Sequence, residues 1–375
     1  MRILLLIPTL TGAGAERQLA YLGGELQRRG HDVLVGYLHP GPGVWPREVP
    51  AHRFAPHWPW SPRLIAEIAR LIRAWKPDVV QTCITRMDVA GGIAAGLTGV
   101  PHVLREPNDA AAYRDFRSWL RRLVGRRAAA IVANSAEGAA YWSGQRTWVI
   151  PNAVPFDEIA AAEPAARAEG AAVLLYAGRL EPQKNVDIVL HALAAVLVGR
   201  GFSPPDVGRG FSPPTPGGGG LKPRPTLTIC GQGPERERLE TLARKLGIAA
   251  CVHFAGFVHD VWNRQRAADA ALLVSSFEGH PNVVSECFAA GTPMILSDIP
   301  QHRALAEGDA LFVPPGDVVA TAAAIRDVLD DRAAAVERAR RAQARVSQIS
   351  IPRMAAAYED VYATVAASQP VVLEA

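Results

Sequence analysis

Short runs of aliphatic and β-branched residues alternate with amphipathic stretches along almost the whole chain. RILLLI (2–7), DVLVGYL (32–38), DVVQTC (78–83), HVLRE (102–106), AAIVANS (129–135) and TWVI (147–150) are too uniformly apolar for strands with one wet face. They read as strands of a parallel sheet covered on both sides, with helical segments of roughly 10–17 residues between them. The pattern then restarts with AAVLLYAG (171–178), TLTICG (226–231), VHFAG (252–256), ALLVSS (271–276), PMILSD (293–298) and ALFVPP (310–315). An α/β protein of two doubly wound domains in tandem follows, with the boundary near IPNAVPFDEI (150–159). The expected division is 1–155 and 156–351, with a last helical stretch at 352–370 crossing back to the first domain.

One segment breaks the rhythm. VGRGFSPPD (198–206) repeats as VGRGFSPPT (207–215), followed by PGGGG, so 198–225 reads as a surface insertion with no core element. Phe202 and Phe211 recur at the same repeat position, and no chemistry is assigned to them.

The length of 375 residues agrees with two cores, since single cores stop growing at about 250–300 residues. A chain that is 49% hydrophobic and 20% charged is neither disordered nor fibrous. No apolar run reaches membrane-spanning length and no cleavage site follows the opening strand, so neither a membrane span nor a signal peptide is expected. Cys83, Cys230, Cys251 and Cys287 are scattered, which fits thiols in a reducing cytoplasm and gives no zinc pattern. Charge is uneven: residues 1–150 carry 19 Lys+Arg against 11 Asp+Glu, or +8, leaving +4 − 8 = −4 for the rest. A basic front half suits an anionic partner, and ordinary surface variation explains it equally well.

Three stretches carry candidate chemistry. The strand-to-helix turns PTLTGAGAE (8–16) and CGQGPERE (230–237) hold Gly12 and Gly14, and Gly231 and Gly233. Such glycines let backbone N–H groups approach an anion at a helix start, or else simply build tight turns. Each lacks the third glycine of a dinucleotide fingerprint, having Arg17 or Arg236 there, and no acidic residue ends the second strand. In YAGRLEPQKNVD (176–187), Arg179 and Lys184 flank a turn directly after a strand, where open α/β sheets bind ligands. That pair suits a diphosphate.

EGHPNVVSE (278–286) places Glu278 in a loop at the carboxyl edge of the second sheet and Glu286 on the helix that Pro281 begins. Eight helical positions span about 12 Å. That exceeds the roughly 5–9.5 Å carboxylate spacing of glycosidases, and it matches the reach from the ribose to the sugar of a nucleotide-sugar. The N–H groups at the helix start would face the diphosphate between the two carboxylates.

At this point the ordered set of motifs resembles the family 4 retaining glycosyltransferases of GT-B fold. It includes AERQLAYLGGELQRRGHDV, ANS (133–135), VIPNAV (149–154), AGRLEPQKN (177–185), CGQGPE, FAGF (254–257), SSFEGHPNVVSECFAAGTPMILSD and LFVPPGD (311–317). The resemblance implies two Rossmann-like domains facing a central cleft, the first reading the acceptor and the second holding the donor. By matching position it implies that Arg179 and Lys184 bind the diphosphate, Glu278 contacts the transferred sugar and Glu286 holds the ribose. Gly12, Gly14, Asn152, Gly231, Gly233, His280, Pro281, Asn282 and Val283 would complete the substrate contacts. It implies no metal or other cofactor beyond a UDP-, GDP- or ADP-sugar donor, and a saccharide or lipid-linked acceptor. Cell-surface polysaccharide or glycolipid assembly at the inner face of the membrane would be its setting, and nucleic acid is not an expected partner. Front-face substitution, with the departing phosphate helping to deprotonate the acceptor, explains why no nucleophile stands out.

One departure is notable. The loop after the fourth strand is VLREPND (103–109), where many relatives carry a histidine; His102 lies too early and packs in the strand. Two other classes therefore stay open: a nucleotide-sugar epimerase of the same architecture, and a non-catalytic nucleotide-sugar-binding protein. FRSWLRRLVGRR (116–127) has an apolar stripe at Phe116, Trp119, Leu120, Leu123 and Val124, with six cations counting Arg114. The favoured reading turns that stripe to the core; the alternative lays it on anionic lipid. APHWPWSP (55–62) offers Trp58 and Trp60 as sugar-stacking candidates.

Overall fold

Ile3, Leu4, Leu5 and Leu6 are all fully buried, as expected for a strand whose two faces both carry helices. A computed structural model describes the chain except residues 11–13, 42–44, 47, 56–60, 108–115, 168–169, 171, 200–223, 260 and 369–375. The expectations for Gly12, Asn108, Arg114, Trp58, Trp60 and the 198–225 repeat therefore lie wholly or mostly outside the described residues.

The first sheet contains β1 (Arg2–Leu6), β2 (Asp32–Tyr37), β3 (Ala51–Arg53), β4 (Val79–Cys83), β5 (His102–Glu106), β6 (Ala130–Ala133) and β7 (Thr147–Val149). All pairs are parallel, in the order β3-β2-β1-β4-β5-β6-β7. The second sheet contains β8 (Val173–Ala177), β9 (Thr226–Cys230), β10 (Val252–Gly256), β11 (Ala270–Leu273), β12 (Met294–Ser297) and β13 (Leu311–Val313). It repeats the order as β10-β9-β8-β11-β12-β13. In each sheet the strand order thus reverses once, between β1 and β4 and between β8 and β11. At such a switch point the flanking helices diverge and leave a crevice at the carboxyl ends of the strands.

Two compact units result: Met1–Ala153 with Ile349–Ala375, and Val154–Gln348. The helix Ile351–Ala367 belongs to the first unit because Met354, Tyr358, Val361, Tyr362 and Val365 are buried in the same apolar cluster as β1 and β4. Tyr362 donates to Gln81 Oε1 at 2.5 Å, and Glu359 accepts from Arg29 Nη2 at 2.7 Å.

His102 opens β5, 6% exposed, with Nε2 2.8 Å from Thr82 Oγ1. Burial lowers its pKa from 6.5 to about 4, against the opposing pull of Asp88 and with the help of Arg121. Because the folded-state value is depressed, the unfolded chain binds the proton first, and stability is lost as pH falls from about 6.5 towards about 4. The expected loss is on the order of 3 kcal/mol. His302 is likewise buried with a lowered pKa and acts in the same direction. Urea melts between neutral pH and pH 4 check this: His102→Asn should flatten the slope, and an unchanged slope would remove His102 from the account.

Candidate functional site

The switch point of the second sheet is where the sequence candidates converge. β8 ends at Ala177 and leads into Gly178 and Arg179; β11 ends at Leu273 and leads to Ser275 and Glu278. Between β8 and the helix Val186–Gly199, Pro182–Lys184 forms one 3-10 turn closed by Asn185 in the left-handed conformation at φ 50°. Asn185 tolerates that conformation and uses its amide to donate to Val274 O at 3.0 Å and Ser276 Oγ at 2.9 Å. Ser276 N in turn donates to Gln183 O at 2.8 Å. The two loops are thereby laced together.

That lacing sets Lys184 Nζ 2.6 and 2.7 Å from the two oxygens of Glu278. Ser275 Oγ donates to Glu278 Oε1 at 2.7 Å. Glu278 is only 8% exposed and the Lys184 side chain 14%. A carboxylate at this depth is tolerable because both oxygens carry charge-assisted bonds. Behind it, Ser297 Oγ donates to Ser275 O at 2.6 Å, and His302 Nδ1 lies 2.9 Å from Ser297 O. Burial keeps His302 neutral, so that nitrogen carries the proton and donates. Ser275, Ser297 and His302 form a buried line of support that no local sequence signal marked.

Arg179 stands differently. Its side chain is 71% exposed and pairs with Glu181 at 2.5 Å, while its carbonyl accepts from Tyr176 OH at 2.8 Å. The loop is thus fixed and the guanidinium reaches outward. Burial, aided by Glu278 and Glu181, pushes the Tyr176 phenol well above its ordinary pKa, so it remains a donor.

The glycines of the second turn explain the shape of that loop. A Cβ on Gly231 would sit 1.8 Å from Gly178 O, and one on Gly233 2.2 Å from Leu180 O. Gly178 N donates to Cys230 O and Leu180 N to Gln232 O, both at 2.9 Å. Gly231 and Gly233 are therefore required first for seating the Arg179 loop, a packing reason that the sequence reading did not separate from ligand approach.

His280 is half-buried, and Pro281, at the N-cap of the helix Asn282–Ala289, supplies no side-chain cap. Glu286 is 5% exposed on its buried face. The helix begins only at Asn282, so the helical rise from there to Glu286 is about 6 Å. The eight-position helical ruler is corrected accordingly, because residues 278–281 are loop.

In the first unit, Gly14 opens the helix Gly14–Arg28, and Glu16 in its first turn accepts from Thr9. Arg105 and Glu106, expected in the loop lacking the histidine, are instead the last two residues of β5, and both have internal partners. Arg105 Nη2 donates to Asn152 Oδ1 at 2.7 Å, Nε to Tyr358 OH at 3.2 Å and Nη1 to Ala15 O at 3.3 Å. Asn152, expected among the substrate contacts, is 5% exposed with its amide oxygen taken by Arg105. Glu106 is fully buried, accepting from Arg121 Nη1 at 2.5 Å and Trp142 Nε1 at 3.0 Å. Among the described residues, no group of three or more His, Cys, Asp or Glu is arranged to hold a metal ion.

Comparison with known proteins follows the same division of the chain. Residues 158–345 match the family description Glycosyl transferases group 1, and residues 12–158 match Glycosyltransferase Family 4. The chain belongs to glycosyltransferase family 4. Among curated relatives, D-inositol 3-phosphate glycosyltransferase of Geodermatophilus obscurus is 30% identical over 337 residues, covering 80% of this chain and 69% of the relative. Glycogen synthase of Mycobacterium tuberculosis H37Rv is 35% identical over 182 residues, which are 48% of this chain and 39% of the synthase. The chain thus spans about two fifths of that relative. HepE of Anabaena, solved in complex with UDP-glucose, superposes with TM-score 0.77 at 19% identity over 97% of this chain and all of HepE. At that identity the likeness establishes the fold, which is GT-B. The family 4 assignment agrees with the resemblance read from the motifs. Among the described residues no helix is long and apolar enough to cross a membrane.

Proposed function

We propose that this family 4 chain transfers a hexosyl group, with retention of anomeric configuration, from a nucleoside diphosphate sugar to a saccharide or lipid-linked saccharide. The observation that carries the reading is the Lys184–Glu278 pair at the switch point of the second sheet, with Arg179 projecting beside it. A cation next to a desolvated carboxylate suits a donor with two needs: charge neutralisation on a departing diphosphate, and hydroxyl acceptance on the sugar. In this reading Arg179 and Lys184 hold the diphosphate, assisted by the uncapped helix start at Asn282 and Val283 and by His280 and Pro281. Glu278 orients the hexose, and Glu286 accepts from the ribose hydroxyls. Gly231 and Gly233 shape the turn that seats the Arg179 loop.

No metal is required, because Lys184, Arg179 and the helix start supply the positive charge. That HepE was solved with UDP-glucose supports a UDP-hexose as the first donor to try. Polysaccharide or glycolipid assembly at the cytoplasmic face of a membrane is the setting proposed.

The test is incorporation of labelled hexose from UDP-, GDP- and ADP-sugars into membrane lipid and saccharide fractions, in the presence of a chelator, with the product anomer read by NMR. Transfer with the donor's own configuration is expected. An inverted anomer would refute retention, and no incorporation from any donor would refute the transferase reading.

A further inference from the structure

The helix Phe116–Gly125 is built inside out. The residues it buries are Ser118, Arg121 and Gly125. Its large apolar side chains point the other way: Phe116 is 73% exposed, Trp119 57% and Leu123 37%. The expectation that this stripe faces the core is therefore overturned for Phe116, Trp119 and Leu123, while Leu120 and Val124 are half-buried. The cause is electrostatic. Arg121 Nε donates to Asp88 Oδ2 at 2.6 Å and Nη1 to Glu106 Oε2 at 2.5 Å, both carboxylates being fully buried. Rotating the helix to hide Trp119 would withdraw Arg121 and strand two charges in the core.

Close packing fixes the same rotation. A Cβ on Gly125 would meet the Trp142 ring at 2.4 Å, and one on Gly92 would meet Val124 Cγ1 at 2.4 Å. The outward face is thus imposed by the fold.

That face has a definite chemistry. Phe116 and Trp119 stack with centroids 5.5 Å apart. Arg117, Arg122, Arg126 and Arg127 are exposed around them, and no Asp or Glu occurs from residue 116 to 127. A groove of about 530 Å³ lined by Ile93, Leu97, Val100, Val124 and Arg127 continues the apolar surface from the end of the helix. We propose that the face of Phe116, Trp119 and Leu123 lies in the interface of an anionic lipid bilayer, with the arginines at headgroup level.

Charge selects this occupant. A second copy docked face to face would set four arginines against four arginines, whereas an anionic headgroup layer attracts them and accepts the aromatic side chains at its apolar boundary. The proposal deepens the transferase reading and rests on it, since it names the surface by which the enzyme would reach a membrane-held acceptor. Arg121 also ties this helix directly to Glu106, the last residue of β5.

The experiment is co-sedimentation of the full chain with vesicles of phosphatidylcholine alone, or with about one third phosphatidylglycerol, at low and high salt. Binding to the anionic vesicles, weakened by salt, is expected. Trp119→Ser with Leu123→Ser, and separately Arg126→Gln with Arg127→Gln, should each lower partitioning on the order of tenfold. These side chains are exposed, so thermal unfolding and nucleotide-sugar affinity should stay at wild-type values. Equal partitioning of all variants, or no binding to anionic vesicles, would overturn the proposal. So would a dimer in sedimentation velocity that Trp119→Ser abolishes, since it would assign the face to a second copy. Absent vesicle binding with donor affinity intact defeats this inference alone; absent donor affinity defeats the transferase reading whatever the vesicles show.

Discussion

Lys184→Ala is expected to lower kcat/KM for hexosyl transfer about a thousandfold, the scale on which loss of a positioned charge-stabilising group acts. Two effects combine. In the proposed role the departing diphosphate loses the positive charge of Lys184, and Glu278, 8% exposed, loses its cation while retaining the hydrogen bond from Ser275. The second effect is structural and predicts a loss of stability on the order of 3 kcal/mol, because an uncompensated carboxylate remains in a desolvated site. Adding Glu278→Gln to Lys184→Ala should recover much of that stability and none of the transfer. Steady-state kinetics with thermal melts on the three variants separates the two effects. A double variant with restored activity would show that Lys184 acts only as a counter-ion to Glu278.

Arg121→Met is expected to destabilise the chain by about 3–5 kcal/mol, the range for removing one member of a buried ion network. Arg121 is 1% exposed, and Asp88 and Glu106 are both at 0%. Glu106 would retain Trp142, and Asp88 would lose the guanidinium altogether. Arg121→Lys should recover only part of the loss, since one ammonium cannot reproduce the forked contacts to two carboxylates. Donor affinity, which the proposal assigns to the other unit, should change little. Urea melts decide: a loss below about 1 kcal/mol would mean that the network is not what holds the helix Phe116–Gly125 in its inverted orientation.

The two sheets were legible because their strands are continuous apolar runs, and twelve such runs identified strands in both halves. β3 was not, since Ala51, His52 and Arg53 are all exposed on a sheet edge and carry no periodic signal. The helix at 116–125 misled for the opposite reason. Its apolar stripe is plain in the sequence, but the residue that sets its rotation, Arg121, answers to Asp88 and Glu106 on other elements. Such a preference exists only after tertiary assembly. In the site, Arg179, Lys184 and Glu278 stood out from their loops, whereas the direct contact of Lys184 with Glu278 spans 94 positions and has no local signature. Ser275 and His302 were missed likewise, because a serine after a strand and a buried histidine are ordinary in themselves. Gly231 and Gly233 were visible as special, yet their reason lies in the backbone of Gly178 and Leu180.

The central claim is that the second unit binds a nucleoside diphosphate sugar through the Lys184–Glu278 switch-point site. Isothermal titration of UDP-, GDP- and ADP-glucose into the wild-type chain and into Lys184→Ala tests it most directly. The account predicts saturable binding of at least one of these donors, at one site per chain, weakened at least tenfold by the substitution, roughly the energy of one lost charge-assisted contact. Binding of none of them, or an affinity that Lys184→Ala leaves unchanged, would contradict it.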